Sequence, residues 1–432
     1  MQPRLDPLRI ASQTHTLANG LRVVAHYDAS APSVAVHLMY HAGSREEHPG
    51  RTGLAHLLEH LMFEGSLHAP KGEFDDLLER VGGSNNGSTW LDRTNYFETV
   101  PAHAVELALW LERERMAHFL PVLSEEMLEL QRGVVLNERL QSCESRPYGL
   151  ADERLYASLF PAAHPYSWPT IGYRADLEAI TLADVRAFYE QFYTPRNAVL
   201  VLAGDLRPER AFALAERYFG DLPAGPPPSR LDGVAAPHAR TRPLSMQDHV
   251  SFPRWYRATA VPRFGSPEWA ALDVLSYVLA DGESSRLQRA LVRDGQLAQD
   301  ADTWLFPTEL HGVFGIVATA RSGVEPARIA AAVERTLAEL REQGATEEEV
   351  AGAVRRARRD QLAALDELEE RAEELALAAT LLGDAERLNE QLDLYRRVTP
   401  DELQRVAREY LAEGSGATLT VLPGEEVVAD AA

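Results

Sequence analysis

Residues 180–205 read ITLADVRAFYEQFYTPRNAVLVLAGD, a helix signal followed by a strand signal. Thr181 is a candidate N-cap, apolar residues then recur at helical spacing, and a continuous apolar run before Gly204 indicates a buried strand. Residues 398–424 read VTPDELQRVAREYLAEGSGATLTVLPG and give the same order, with Thr399 as the candidate N-cap. The repeated pattern predicts a chain built from two similar halves.

A second pair of segments supports an internal duplication. Residues 33–44 carry a strand pattern that leads through a polar loop into a helix over 53–63. Residues 254–266 lead in the same way into a helix over 267–280, where a proline suits the first helical turn. We therefore expect an α+β fold of two homologous α/β-roll halves, each with an antiparallel-rich sheet and helices packed on one face.

The boundary between the halves is expected in a Pro/Gly-rich stretch, LPAGPPPSRLDG at residues 222–233, which opposes regular helix. This places an N-terminal half at residues 1–222, a linker at 223–233 and a C-terminal half at 234–432. Residues 325–382 are rich in Ala, Glu, Arg and Leu and predict a pair of helices.

Composition indicates a soluble globular protein. Of 432 residues, 45% are hydrophobic and 25% are charged, close to the globular average. A net charge of −22 argues against a nucleic-acid partner, because phosphate binding needs clustered cations. No stretch reaches the roughly 18 apolar residues of a membrane span, and the N-terminal residues lack the apolar core of a signal peptide. With Cys143 as the one cysteine, we expect a cytoplasmic protein without a membrane partner.

The strongest chemical signal is GLAHLLEHLMFEG at residues 53–65, which contains H-x-x-E-H. On a helix His56 and His60 lie about one turn apart on the same face, so both imidazoles could bind one metal ion. Glu59 points to nearly the same side and would place a carboxylate beside the metal rather than on it. The alternative is a pair of hydrogen-bonded histidines inside an amphipathic helix, because the pattern by itself fixes only two ligands and a base.

Around this motif the chain resembles the insulinase, pitrilysin and mitochondrial processing peptidase family, whose H-x-x-E-H members are inverzincin zinc peptidases. The resemblance covers nearly the whole chain. Three further stretches carry it: GGSNNGSTWLDRTNYFETVP at 82–101, RGVVLNERLQS at 132–142, and HPYSWPTIG at 164–172. It implies a zinc-dependent endopeptidase that hydrolyses unfolded or short peptides.

The resemblance also implies roles for single residues. The third zinc ligand falls on Glu138, which with His56 and His60 gives one Zn²⁺ site per chain. Glu59 becomes the general base toward a zinc-activated water molecule. Gln131 stands where the family often has a glutamate that supports a ligand, so the site would be slightly less anionic here.

Residues 84–89 resemble the strand to which relatives add an extended peptide substrate through main-chain hydrogen bonds. Asn86 and Gly87 fall on the family's Asn-Ala position, where a small residue would let the peptide approach closely, and Thr89 ends the segment. These three are the candidate substrate-binding residues. The alternative is an ordinary turn, because Asn and Gly favour turns.

The second half contains no H-x-x-E-H. Residues 281–302 resemble a family segment in which an arginine and a tyrosine reach the substrate, but Val292 and Gln299 stand at those positions. Some two-subunit relatives carry zinc on one chain and the Arg-Tyr pair on a homologous chain. The present chain resembles the zinc-bearing subunit of the small bacterial members. We therefore expect a heterodimer with a non-zinc partner that supplies the pair, with a homodimer as the alternative.

Two other functions fit parts of the sequence. A non-catalytic core or assembly subunit would be expected to have an eroded motif, whereas all the motif residues are present. A structural zinc module would need a fourth protein ligand. His68 and Cys143 lie near the motif segments but follow no zinc-binding spacing, so we expect both to be ordinary residues.

Overall fold

The first half forms one six-stranded sheet. The computed structural model describes residues 8–227 and 234–424. The strands of the first half are β1 (Gln13–Thr16), β2 (Arg22–Tyr27), β3 (Ser33–Tyr40), β4 (Ser84–Thr89), β5 (Thr94–Pro101) and β6 (Ala198–Gly204). They lie in the order β1-β2-β6-β3-β5-β4, with β2 and β6 parallel and the other neighbours antiparallel.

The described part of the first half has eight α-helices, and all but the fifth cover one side of this sheet. They are α1 (Leu54–Leu61), α2 (Glu73–Arg80), α3 (Val105–His118), α4 (Glu125–Arg139), α5 (Ala151–Leu159), α6 (Arg174–Ala179), α7 (Leu182–Phe192) and α8 (Pro208–Phe219). The core between helices and sheet includes Leu38, Leu58, Leu109 and Leu200, all fully buried. Burial of this apolar surface is the main force that holds α1 against the sheet.

The second half repeats the arrangement with five strands. These are β7 (Leu244–Asp248), β8 (Arg254–Val261), β9 (Ala298–Leu305), β10 (Gly312–Ala320) and β11 (Ala417–Pro423). Their order is β7-β11-β8-β10-β9, with β7 and β11 parallel and the other neighbours antiparallel. The helices are α9 (Trp269–Leu279), α10 (Pro326–Gln343), α11 (Glu347–Asp366), α12 (Leu368–Leu381), α13 (Arg387–Tyr395) and α14 (Pro400–Tyr410).

The predicted α+β fold of two similar halves is confirmed. The duplicated helix and strand are α7 with β6 and α14 with β11. Thr181 and Thr399 both form capping boxes, in which the hydroxyl accepts the N–H three residues on and an acidic side chain returns the bond. The predicted linker at 223–233 lies between α8 and β7. Residues 228–233 fall outside the described residues, and the domain limits 1–222 and 234–432 stay predictions.

The prediction of two helices over residues 325–382 was wrong in number, because three helices occupy the segment. Gly344, at φ +76°, ends α10, and a new capping box at Thr346 starts α11. Glu367 is extended and separates α11 from α12, although no glycine or proline marks the break. No helix within the described ranges is long and apolar enough to cross a membrane.

Each sheet also receives a helix from the other half. Helix α12 packs on the second face of the first sheet, where its Leu375 and Ala379 join Val24 and Val201 in one apolar cluster. Helix α5 packs in the same way on the second sheet, where its Leu155 is buried in a cluster with residues of β8 and β11. The predicted fold has helices on one face of each sheet, and in the structure a helix of the other half covers the second face as well.

A buried charged network also joins the halves. Arg45, which precedes α1, donates to Asp92 at 3.1 Å and pairs with Glu309 in the connection between β9 and β10. The Glu309 backbone N–H donates to Asp92 at 2.8 Å, and Tyr166 donates its hydroxyl proton to the same carboxylate at 2.6 Å. These bonds fix the β9–β10 connection against the segment that leads into α1.

Candidate metal centre

Helix α1 begins at a fixed point because a buried carboxylate caps it. Gly53, at φ +88°, precedes the helix, and a Cβ there would lie 2.7 Å from the Ile171 carbonyl oxygen, so only glycine fits. Glu47 accepts the N–H of Gly53 at 2.9 Å and that of Ala55 at 2.8 Å. Both carboxylate oxygens of Glu47 therefore accept N–H groups at the start of the helix. These bonds fix the first turn, which directly precedes the two histidines.

The structure brings His56, His60 and Glu138 together. Oε2 of Glu138, which lies at the end of α4, is 3.3 Å from Nε2 of His60 and 3.7 Å from Nε2 of His56. The ligand atoms of all three residues lie within 4.8 Å of one another. The two imidazole rings are nearly perpendicular, at 88°, with centroids 4.8 Å apart. Three donor atoms from two helices thus surround one point.

This donor set fits a zinc ion. Tetrahedral zinc with bonds near 2.1 Å holds its ligand atoms about 3.4 Å apart, close to the observed separations. Burial and the neighbouring imidazole lower the pKa of His56 to about 4, which keeps this ligand neutral. A hydrogen bond from His60 lowers the pKa of Glu138 and keeps its carboxylate charged. Neutral imidazole and ionised carboxylate are the forms that bind metals.

Glu59 lies beside the three ligands and is only 9% exposed. Its Oε2 accepts the hydroxyl proton of Thr89 at 2.5 Å, which fixes the carboxylate between α1 and the end of β4. Burial raises the pKa of Glu59, while the Thr89 hydrogen bond acts in the opposite direction. Thr89 was predicted as a substrate-binding residue from its segment, and the structure places its hydroxyl on the candidate base.

Gln131 is buried on α4 and its amide contacts two groups around the centre. It donates to Oε1 of Glu64 at 2.7 Å. Burial lowers the pKa of His60, but the hydrogen bond to Glu138 and the charges of Glu59 and Glu138 raise it on balance, and Gln131 adds the smallest of these contributions. Oε2 of Glu64 in turn accepts from Lys71 at 2.7 Å. Glu64 therefore brings a carboxylate to the position where Gln131 lacks one. Sequence reasoning missed Glu64, although it lies four residues beyond His60, in the next turn of the same stretch.

The segment 84–89 is strand β4, so the alternative of an ordinary turn was wrong. β4 is the last strand of the first sheet and pairs, among the described strands, with β5 alone. Asn86 is exposed, and its side-chain oxygen accepts the Gly87 N–H at 2.9 Å. A Cβ on Gly87 would lie 3.1 Å from the Phe63 ring. Glycine at 87 thus makes room for this ring within the protein, a reason that differs from the predicted close approach of a peptide.

Val292 and Gln299 lie in the second half and make their contacts there. Val292 is partly buried against the core of that half, and Gln299 at the start of β9 donates to the Ala320 carbonyl at 2.8 Å. Cys143 is half-buried in the turn after α4, and burial raises the pKa of its thiol. His68 was predicted to be an ordinary residue, but its imidazole lies against Glu114 and close to His118.

Two family profiles match the chain. The profile described as insulinase (peptidase family M16) matches residues 22–167, and the profile described as peptidase M16 inactive domain matches residues 179–357. The three candidate ligands and the candidate base all lie in the first range. The profile named inactive covers most of the half that lacks H-x-x-E-H.

Individual relatives agree with the profiles. A zinc protease, PqqE of Helicobacter pylori, is 30% identical over 421 residues, which cover 94% of this chain and 92% of the relative. The beta subunit of the mitochondrial-processing peptidase of Neurospora crassa is 31% identical over 225 residues, which cover 51% of this chain and 45% of the relative. A solved structure of a protease from Helicobacter pylori has a TM-score of 0.87 at 27% identity and covers 96% of this chain and 100% of that chain. The chain therefore belongs to the insulinase family, peptidase family M16.

Proposed function

We propose that the chain is the zinc-bearing subunit of an endopeptidase that hydrolyses unfolded or short peptides. The observation that carries this proposal is the convergence of His56, His60 and Glu138, with the buried Glu59 carboxylate beside them. Two imidazoles and a carboxylate form a donor set of catalytic zinc sites, which leave the fourth position to solvent or substrate. Relatives named zinc proteases support the choice of metal.

The chain's own residues can move the proton that peptide hydrolysis requires. When bound, zinc would supply a Lewis acid that polarises a carbonyl oxygen and lowers the pKa of a water molecule. Glu59 takes a proton from the attacking water as the water oxygen adds to the peptide carbonyl carbon, and then delivers it to the leaving amine nitrogen. Because Thr89 occupies Oε2 of Glu59, the other oxygen, Oε1, carries this proton.

The open edge of β4 is the proposed binding place for the peptide. An extended chain can pair with a sheet edge through main-chain hydrogen bonds. The end of β4 contacts Glu59 through Thr89, so a peptide paired with this edge would pass beside the candidate base. Asn86 is exposed on the strand and can bond to that peptide. A folded protein would not present such an extended segment, which supports unfolded or short substrates.

A homologous subunit without zinc is the proposed partner, with a homodimer as the alternative. Val292 and Gln299 cannot supply the cationic and phenolic groups that the family's Arg-Tyr pair brings to the substrate. A second chain would therefore complete the substrate site. The cytoplasm is the proposed location, because the one cysteine of the chain cannot form an internal disulfide.

Peptide digestion with metal analysis tests this function. We would assay the purified chain, alone and with a co-purified homologous subunit, on a peptide library, with and without a chelator. We expect cleavage that requires zinc, that returns when zinc is added back after chelation, and that rises when the partner is present. Full activity of the isolated chain would contradict the heterodimer. A zinc-loaded chain that cleaves nothing, alone or in the complex, would contradict the peptidase and favour a non-catalytic assembly subunit.

A further inference from the structure

A second group of metal-ligand residues lies in the first half, apart from the centre formed by His56, His60 and Glu138. Glu114 and His118 are four residues apart at the end of α3, and His68 lies in the loop between α1 and α2. The Glu114 side chain is 4% exposed, that of His118 is 31% exposed and that of His68 is 56% exposed. The group therefore joins a buried carboxylate to two imidazoles that solvent can reach.

The geometry of this group matches that of the first centre. Oε1 of Glu114 is 3.0 Å from Nδ1 of His68 and 3.8 Å from Nε2 of His118. The three ligand atoms lie within 4.8 Å of one another, and the imidazole rings meet at 85° with centroids 5.1 Å apart. Both groups thus combine two nearly perpendicular imidazoles with one carboxylate oxygen, at separations that suit bonds near 2.1 Å to one ion.

The protein holds the Glu114 carboxylate in position with one of its two oxygens. Oε2 accepts the Ser66 hydroxyl at 2.9 Å and the His68 N–H at 3.2 Å. The Leu67 N–H donates to the His118 carbonyl at 3.1 Å, so the loop is tied to the end of α3 by its main chain as well. His68 Nδ1 lies 3.0 Å from Oε1 and 3.1 Å from Oε2, so both oxygens contact this imidazole, and the ligand geometry is set before any ion binds.

The buried negative charge of Glu114 would be stabilised by a nearby cation. Among the described residues, its ion-pair partners within 4 Å are the imidazoles of His68 and His118, and no arginine or lysine lies in that range. A buried carboxylate is stabilised by a full positive charge nearby. A metal ion would supply this charge while both histidines stay neutral.

We propose that His68, Glu114 and His118 form a second site for a divalent transition metal of the zinc class. Two imidazole nitrogens favour zinc over calcium or magnesium, which prefer oxygen ligands. The exposure of His68 leaves the fourth position to water. The ion would pin the loop that follows α1 to the end of α3 and would stabilise the half that carries the first centre. The metal content would then be two ions per chain instead of the predicted one.

Metal stoichiometry of the full chain tests the proposal. We would remove metal from the protein, dialyse it against dilute zinc, and measure bound zinc per chain by elemental analysis. We expect two ions in the wild type, one in His118→Ala, one in Glu138→Gln, and none in the double variant. His103→Ala, a change at an exposed histidine of the same half, serves as the matched control and should keep two.

A second variant separates metal loss from misfolding. His68→Ala changes a largely exposed side chain, so the fold should persist, and it should also bind one ion less than the wild type. Thermal unfolding with and without zinc should show a smaller zinc-dependent rise of the melting temperature in His68→Ala. The proposal is overturned if Glu138→Gln removes all bound zinc, or if His68→Ala and His118→Ala bind as much zinc as the wild type. A wild type with one ion that only His68→Ala removes would support this site and contradict the proposed peptidase centre.

Discussion

Helices α1 and α9 occupy equivalent places in the two halves but present different chemistry. α1 contacts α4, α7 and β4, and α9 contacts the corresponding elements α11, α14 and β9. α1 carries two histidines and a glutamate, whereas α9 reads WAALDVLSYVL, and most of its side chains are buried and apolar. The fold therefore accepts either a helix with histidines and a glutamate, as in α1, or an apolar helix, as in α9, at this position. The chemistry of the first half depends on a few side chains, and the second half retains the architecture without them.

The largest effect is expected from a substitution that removes the candidate base of α1 and leaves the fold unchanged. Glu59→Gln should lower peptide hydrolysis by about 10²- to 10⁴-fold, because the amide cannot accept the proton from the attacking water. Zinc content should stay unchanged, since Glu59 is not among the three ligands. Initial rates on a fluorogenic peptide and elemental analysis measure both quantities.

The matched control is Glu79→Gln, at an exposed position of α2, which should keep full activity. A Glu59→Gln variant with more than a few per cent of the wild-type rate would show that another group is the base.

The next effect concerns the contact that fixes the second half against the segment before α1. Burial alone would raise the pKa of Glu309, but His41 and Arg45 lower it to about 2. In the unfolded chain a glutamate has a pKa near 4.3. The contacts of the Glu309 carboxylate with His41 and Arg45 therefore stabilise the fold above about pH 5. This contribution, about 2 kcal/mol, is lost as the pH falls toward 2.

Glu309→Gln should accordingly be less stable than the wild type at pH 7 by about 2 kcal/mol, with a difference that shrinks at low pH. Urea unfolding at a series of pH values measures it. Glu283→Gln, at an exposed position of the same half, is the control and should follow the wild-type curve. An equal loss of stability at pH 7 and pH 3 would contradict the assigned role.

A smaller effect is expected at Glu64, which holds the Gln131 amide beside the first metal centre. Glu64→Gln replaces the charged acceptor of the Gln131 amide, at 2.7 Å, with a neutral one, which weakens the hydrogen bond that holds Gln131 beside His60. Groups that orient a metal ligand typically change affinity by 10- to 100-fold, and we expect about 10-fold weaker zinc binding at the first centre. Competition with a chromophoric chelator measures this. Glu73→Gln, at an exposed position of α2, is the control and should leave the zinc affinity unchanged. An unchanged zinc affinity in Glu64→Gln would contradict the role of Glu64 in holding Gln131.

The smallest effect lies in α9. Burial raises the pKa of Asp273 to about 6, against the hydrogen bond from the Tyr395 hydroxyl at 2.7 Å. Because this pKa is raised above the unfolded value of about 3.9, Asp273 destabilises the fold as the pH rises from 4 to 6. Asparagine carries no charge, so Asp273→Asn should be more stable than the wild type by about 1 kcal/mol at pH 7. Peptide cleavage should stay within twofold of the wild type.

Unfolding at pH 4 and pH 7 measures the stability of Asp273→Asn, with Asp302→Asn on the exposed side of β9 as the control. A large loss of activity in Asp273→Asn would mean that the second half contributes to the chemistry from its α9 surface.

Local sequence patterns were enough to predict the repeated elements. Thr181 and Thr399 signal helix starts by their own side chains, and the apolar runs of β6 and β11 signal buried strands without knowledge of the rest of the chain. The spacing of His56 and His60 likewise follows from helix geometry. Glu138 lies far along the chain, so only the resemblance to a family connected it to the histidines.

Features that depend on tertiary contacts could not be predicted. The apolar face of α12 gives no sign that it covers the sheet of the other half, because amphipathic spacing does not specify the partner surface. The bond from Thr89 to Glu59 and the meeting of His68 with Glu114 both join segments distant in sequence. A signal for the second cluster did exist, because Glu114 and His118 share one helical face, but it fixed only two of the three residues.

The exchange of α5 and α12 has a consequence for how this protein can come apart. Each half would expose a bare apolar sheet face if it were produced alone, because the helix that shields that face belongs to the other half. Proteolytic cutting within 223–233 should therefore leave two fragments that stay associated and unfold in a single transition, whereas separately expressed halves should aggregate.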